Sequence, residues 1–200
     1  MPTLDRLIDP IRHSPRLPEL VRELSALLEL ERDRREKFYD DVTPEQKAEF
    51  IEGEVIVHSP ARSNHLDVTL RVAQLLHTFV QIHQLGTVKS EKCLCVFPRN
   101  DYEPDVVFFS TGKAATFRAD TMKFPIPDLV VEVLSESTQS RDRGVKFEDY
   151  AAGGVHEYWI VDADQSVIEQ YRLRPASGEN EANYELVLKA GQGMLHCAVI

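Results

Sequence analysis

Apolar residues recur at intervals of three and four across residues 16–39, at Leu17, Leu20, Val21, Leu24, Leu27 and Leu28, which predicts an amphipathic helix. Its second half, residues 31–37, is almost wholly charged. The pattern therefore predicts a helix packed on the domain by its first half and solvated beyond, with a dimerisation arm as the sharper alternative. Thr43-Pro44-Glu45-Gln46 has the form of a capping box with proline at the first helical position, predicting a short helix to about Ile51 that Gly53 ends. Alternation over 54–58 predicts a strand. A second long helix follows over 63–83, with apolar positions at Leu66, Leu70, Ala73, Leu76 or His77, and Val80, and Leu85-Gly86 as its stop. Beyond it, strands are expected at 87–89, 92–97, 104–109 and 128–134, with an irregular stretch at 112–125. A helix carrying Asp142, Lys146 and Tyr150 comes next and stops at Gly153-Gly154, before strands at 156–162, 167–173 and 184–189.

The strand at 128–134 contains an anomaly. Leu129, Val131 and Val133 share one face and Val130, Glu132 and Leu134 the other, so both faces are apolar, as in a central strand covered on each side. Glu132 stands inside this aliphatic run. An ionised carboxylate removed from water is heavily penalised unless it is paired, hydrogen-bonded, neutralised or bound to metal, so packing alone does not account for it. A second acid, Asp105, follows Pro104 at the mouth of the apolar run 106–109. Asp142, Lys146 and Tyr150 lie four apart, on one helix face that can turn back toward the end of the Glu132 strand.

Composition narrows the classes. The chain has 200 residues, 42% of them hydrophobic, and lacks any tract approaching the roughly 18 apolar residues of a membrane helix. One domain at 43–200 with a helical extension at 1–42 is expected, and no membrane association. Residues 1–15 mix charges and prolines without a signal-type apolar stretch, so a cytoplasmic location is the default expectation. Three cysteines argue against a disulfide framework, and Cys93 and Cys95 read as buried thiols. The net charge of −10 is unfavourable for phosphate binding, which depends on Lys and Arg. The distribution is uneven, however: acids crowd 29–54, whereas Lys113, Arg118, Lys123, Arg141, Arg143 and Lys146 flank the two acid-bearing strands.

Several motifs in order, Glu49-Phe50-Ile51-Glu52-Gly53-Glu54, Pro104-Asp105-Val106-Val107, Pro127-Asp128 through Glu132 to Ser135, Asp142, Lys146 and Tyr150, and Gly154 through Tyr158-Trp159 to Asp162, resemble the PD-(D/E)xK nuclease superfamily. They resemble most closely its Uma-type branch of restriction-endonuclease-like proteins. The likeness spans about 44–162. It departs from the superfamily pattern in that Leu134 stands where a lysine would follow the second acid; in the branch the lysine has moved to the next helix, where Lys146 fits. Glu136 also replaces the branch's usual proline. The resemblance implies an α/β (α+β), restriction-endonuclease-like mixed β-sheet flanked by helices, and a metal-dependent phosphodiesterase acting on nucleic acid, DNA by default. It implies Mg²⁺ or Mn²⁺ held by Asp105, Glu132 and the Val133 carbonyl, with Glu54 as a further ligand or water-holder and Glu49 as runner-up. Lys146 is expected to place or activate the water and offset phosphate charge. Two open sites on such a cation serve both the nucleophile and the phosphoryl oxygen.

Duller readings exist for most of these residues. Asp142 and Lys146 form a favourable i, i+4 ion pair in their own right, and His65 reads as an ordinary histidine in a first helical turn. The competing function is a non-catalytic nuclease-fold scaffold or protein-interaction module, with a homodimer through the N-terminal helix possible under either reading.

Overall fold

The computed structural model describes residues 4–43, 45–178, 180–192 and 196–200. Its helices are α1 (Leu4–Arg12), α2 (Leu17–Asp41), α3 (Ser63–His83), α4 (Thr111–Ala114), α5 (Gln139–Asp142) and α6 (Val145–Ala152). The strands are β1 (Ala48–Ile51), β2 (Glu54–Val57), β3 (Gly86–Ser90), β4 (Leu94–Val96), β5 (Asp101–Tyr102), β6 (Val106–Ser110), β7 (Lys123–Phe124), β8 (Leu129–Val133), β9 (Glu157–Asp162), β10 (Val167–Arg174) and β11 (Asn183–Ala190).

The expected mixed α/β architecture is present, but the strands divide into two sheets. Six run in the order β11-β10-β9-β8-β6-β3 and five in the order β2-β1-β5-β4-β7. In the larger sheet β8 is central, antiparallel to β6 and parallel to β9. Every residue of β8 is buried, and its two faces serve two cores. Leu129, Val131 and Val133 pack with Leu76 and Val80 of α3, and Val130 packs with Tyr150 of α6 and with Cys95 and Tyr102 of the smaller sheet. The alternation read along this strand therefore holds, with a helix on one face and a helix plus the second sheet on the other. No helix among the described residues is long and apolar enough to cross a membrane.

Three local expectations are corrected. First, residues 48–51 form β1, not the end of a capped helix. Phe50 and Ala48 enter a core with Phe38 and Leu94, while the strand pairs β2 from Ala48↔Val57 to Ile51↔Glu54, so tertiary burial overrides the capping signal. Only one turn, from Gln46 N–H to the Thr43 carbonyl, survives of the proposed helix start, and Pro44 lies outside the described residues.

Second, α2 packs by its charged half. Val21, Leu24, Leu27 and Leu28 are exposed, whereas Glu31 and Phe38 are buried. Arg35 forks onto Asp101 at 2.7 and 2.6 Å and also donates to the Phe97 and Asn100 carbonyls, and Arg99 pairs Glu31 from the opposite side. Bidentate, charge-assisted bonds of this kind allow a run of charges to dock. The N-terminal stretch also forms a helix, α1, with Pro10 inside it.

Third, the helix carrying Asp142 and Lys146 is two helices. A Cβ on Gly144 would lie 2.7 Å from the Ser140 carbonyl oxygen, so the glycine permits the close approach at which α5 ends and α6 begins. Asp142 and Lys146 stay within reach across this joint.

Candidate active site

β6 ends its pairing with β8 at Val106↔Val131, one residue short of Asp105. At that point a side chain takes over from the ladder: Asp105 Oδ2 accepts the Val133 N–H at 2.8 Å. This bond sets Asp105 beside the end of β8, next to Glu132. Oδ1 faces the Lys47 ammonium at 2.9 Å and His65 Nε2 at 3.4 Å. The first belongs to the segment leading into β1 and the second to the first turn of α3.

Glu132 is 3% exposed. Its Oε1 accepts from Lys146 Nζ at 3.0 Å and from the Tyr150 hydroxyl at 2.8 Å, both one turn apart on α6. Lys146 is 2% exposed and also reaches Glu49 Oε1 at 2.9 Å and Asp142 Oδ1 at 3.4 Å. One ammonium thus sits among three buried carboxylates from β1, β8 and α5. Glu49 is held in turn by His58 Nε2 at 3.0 Å and by the Glu103 N–H.

Electrostatics follow from this crowding. Burial and the surrounding negative charges of Asp142, Asp105 and Glu49 push Glu132 up to about 8, against the pull of Lys146. Burial acts the same way on Glu49, but Lys146 and His58 outweigh it and bring that acid down to about 2. Asp105 is likewise held below the usual carboxylate range, because His65 and Lys47 overcome its burial. Burial disfavours the Lys146 ammonium, yet its three carboxylates raise it well above an ordinary lysine. The three carboxylates therefore favour the charged, donating form of Lys146.

Asp105, Glu132, Lys146, Lys47, His58 and His65 line one cleft of about 520 Å³, whose rim includes Arg62, Lys92 and Arg141. His65 Nδ1 and Arg141 Nε are buried without a hydrogen-bond partner among the described residues. Buried polar atoms are normally paired, so these two mark room in the cleft for water or a ligand.

The three principal residues expected from sequence, Asp105, Glu132 and Lys146, therefore converge, and Val133 joins them through its backbone. Glu54 does not. It is exposed at the turn end of β2, opposite Ile51, and takes no part in lining the cleft. The acid of that hairpin which enters the cluster is Glu49, fully buried on the inner strand. Lys47 and His58 also line the cleft, although no sequence motif marks them. Lys47, Glu49 and Ile51 share a face at the strand period of two, a signal hidden while the segment was read as a helix.

The donor set suits a hard cation. Among the described residues no three His, Cys, Asp or Glu side chains converge as a ready-made cage. Mg²⁺ sites commonly rest on one or two carboxylates with water and substrate oxygens completing the shell, and Asp105 with Glu132 is such a pair. A residue's N–H and carbonyl leave the same edge of a strand, so the Val133 carbonyl shares the Asp105 edge.

Known proteins resemble this chain in family and fold. The sequence profile of the Uma2 family, described as "Putative restriction endonuclease", matches residues 24–194. Two uncharacterised proteins of Synechocystis sp. (strain ATCC 27184 / PCC 6803 / Kazusa) are similar. One is 30% identical over 64% of this chain and 72% of its own length, and the other 28% identical over 80% and 79%. The crystal structure of a "putative nuclease belonging to DUF820" from Anabaena variabilis ATCC 29413 superposes with a TM-score of 0.61, at 18% identity, over 74% of this chain and 82% of that one. At that identity the likeness concerns the fold.

Proposed function

Because this chain belongs to the Uma2 family of restriction-endonuclease-like proteins, we propose that it is a metal-dependent endonuclease hydrolysing phosphodiester bonds, with DNA as its substrate and Mg²⁺ or Mn²⁺ as its cofactor. The observation that carries the reading is the Lys146 ammonium buried among Glu132, Glu49 and Asp142 at the floor of a cleft that Asp105 also faces. So costly an arrangement has a site as its simplest purpose.

Asp105, Glu132 and the Val133 carbonyl would hold the cation. When bound, it supplies an activated water and charge for the phosphoryl oxygens. Lys146, kept charged by its carboxylates, orients that water by donation and offsets the negative charge gathering on the phosphate. Tyr150 and Lys146 together hold Glu132 in its rotamer, and His65 supports Asp105 in the same way. Glu49 and Asp142 act through Lys146, fixing where its ammonium points. The rim residues Arg62, Lys92 and Arg141 would meet backbone phosphates, a local basic edge on a chain of net charge −10.

The test is incubation of the purified full chain with supercoiled, linear and single-stranded DNA at low salt, with Mn²⁺ or Mg²⁺. Cleavage that appears with the cation and stops with EDTA is expected; every nucleic acid left intact sinks the enzymatic reading. A silent scaffold, favoured by the overall acidity, takes up no cation, so calorimetric titration with Mn²⁺ separates the two. Under the same proposal the protein acts in the cytoplasm and pairs as a homodimer through the exposed Val21, Leu24 and Leu28 of α2. Light scattering that returns a monomer mass at micromolar concentration removes the pairing.

A further inference from the structure

Asp105 has one oxygen tied to the Val133 N–H, which leaves Oδ1 as the atom shared by Lys47 and His65. Lys47 Nζ stands 2.9 Å from it, and the lysine side chain is 20% exposed, with one end against the acid and its stem along the cleft wall. An ammonium carries three donors and no lone pair, so Lys47 cannot join a cation's coordination shell. A divalent cation on Oδ1 would meet this ammonium at close range, and in a buried site two fixed positive charges that close repel strongly, whereas the neutral form of His65 could stay beside the acid.

We propose that Lys47 is a displaceable counter-ion: its ammonium occupies the cation's place on Asp105, and a hard divalent cation binds Asp105 only as Lys47 is expelled into the cleft. This rests on the nuclease reading above and adds a device that the reading does not require. Three observations support it. Without an opposite charge Asp105 would be a buried carboxylate of high cost, and of its two partners Lys47 stands nearer, at 2.9 Å against 3.4 Å for His65, and is the one that carries a fixed charge. Lys47 belongs to the segment before β1, outside any regular element, and its flexible four-carbon stem can swing without moving a strand. Glu45 and Glu91 line the same cleft within its solvent edge and offer the released ammonium new partners. Lys146, by contrast, sits in a helix among three acids and has no comparable exit.

The experiment is calorimetric titration of the full chain with MnCl₂ as wild type, Lys47→Met and Lys47→Arg. Removing the competing charge is expected to tighten Mn²⁺ binding about tenfold in the methionine variant, since ligand-shell charge sets affinity in such sites. The arginine variant should bind no tighter than wild type. Less than threefold tightening in a folded Lys47→Met protein overturns the inference, and if cleavage still depends on the cation the nuclease reading survives alone. Binding by Lys47→Met with none by wild type supports the inference; no binding by either chain sinks both ideas.

Wild-type protein gives a second readout that does not depend on the variant folding. Reductive methylation followed by peptide mass spectrometry should label Lys47 severalfold faster with saturating Mn²⁺ than without, normalised to the surface lysines. A rate unchanged or slowed by Mn²⁺ overturns displacement.

Discussion

Lys146→Met should destabilise the protein by about 3–5 kcal/mol, the usual cost of removing one partner from a buried ion cluster. Methionine fills similar volume, so the loss reports charge and not a cavity. Glu132, Glu49 and Asp142 are left facing one another with no ammonium between them. For a chain of this size such a deficit lowers the melting temperature by roughly 6–20 °C. The pH dependence has a definite sign. Without Lys146 the buried acids have folded pKa values above their unfolded ones, the direction in which burial already drives Glu132 and Asp142. A raised carboxylate stabilises the fold below its unfolded pKa and loses that contribution as pH climbs through the folded value. The variant should therefore melt closest to wild type near pH 5 and fall furthest behind near pH 8. Thermal melts followed by circular dichroism across that range check it; a deficit that is constant with pH, or that narrows at high pH, contradicts the charge account.

The second large effect is on activity. Glu132→Gln and Asp105→Asn keep size and shape while removing the charge that would hold the cation. Each should lower the cation-dependent cleavage rate by at least the order of 10²–10³-fold seen when one preorganised charge-stabilising group is lost. The two should differ in stability. Glu132 is already pushed toward its neutral form, so glutamine costs little at neutral pH and can still accept from Lys146 and Tyr150. Asp105 is held in its charged form by His65 and Lys47, so asparagine forfeits the Lys47 ion pair and weakens the His65 contact and should lower the melting temperature more. Quantitative cleavage assays beside melting curves separate these outcomes. Wild-type rates in both variants would remove the acids from the reaction.

The site was legible wherever a residue violated its surroundings. Glu132 inside Leu129 to Leu134 announced itself, because no packing argument places a carboxylate there. Asp105 and Lys146 followed from motif order, and the four-residue spacing of Asp142, Lys146 and Tyr150 survived even though Gly144 breaks the helix between the first two. The ends of α3 are legible because its pattern is long and stops at Leu85-Gly86, although Leu66 and Leu70 are exposed and Thr69, Leu76 and Val80 face the core; β8, only five residues, is legible from its unbroken apolar run.

The misreadings have physical causes too. A capping box at Thr43 to Gln46 is a local signal worth about 1 kcal/mol. Burying Phe50 with Phe38 and Leu94 and pairing β1 to β2 and β5 is worth more. The helix reading conceals Lys47, while Glu54 takes precedence over Glu49 in the sequence because it opens the strand at 54–58 and matches a recurring acid of the resembled family. In α2 the leucines suggested the packed face, yet Arg35 and Glu31 dock because Asp101 and Arg99, far away in sequence, meet them.

By itself the chain's pattern determined a central strand with two apolar faces, a buried acid within it, a second acid at the neighbouring strand and a lysine one helix later. Those features depend on periodicity and on the cost of burying charge, which act over a few residues. Only the tertiary structure decided that the strands form two sheets, that Glu49 and not Glu54 reaches Lys146, and that Lys47 sits on Asp105. Each of these depends on segments more than 50 residues apart in the chain meeting at β1, β6 and α6, contacts that no local pattern encodes.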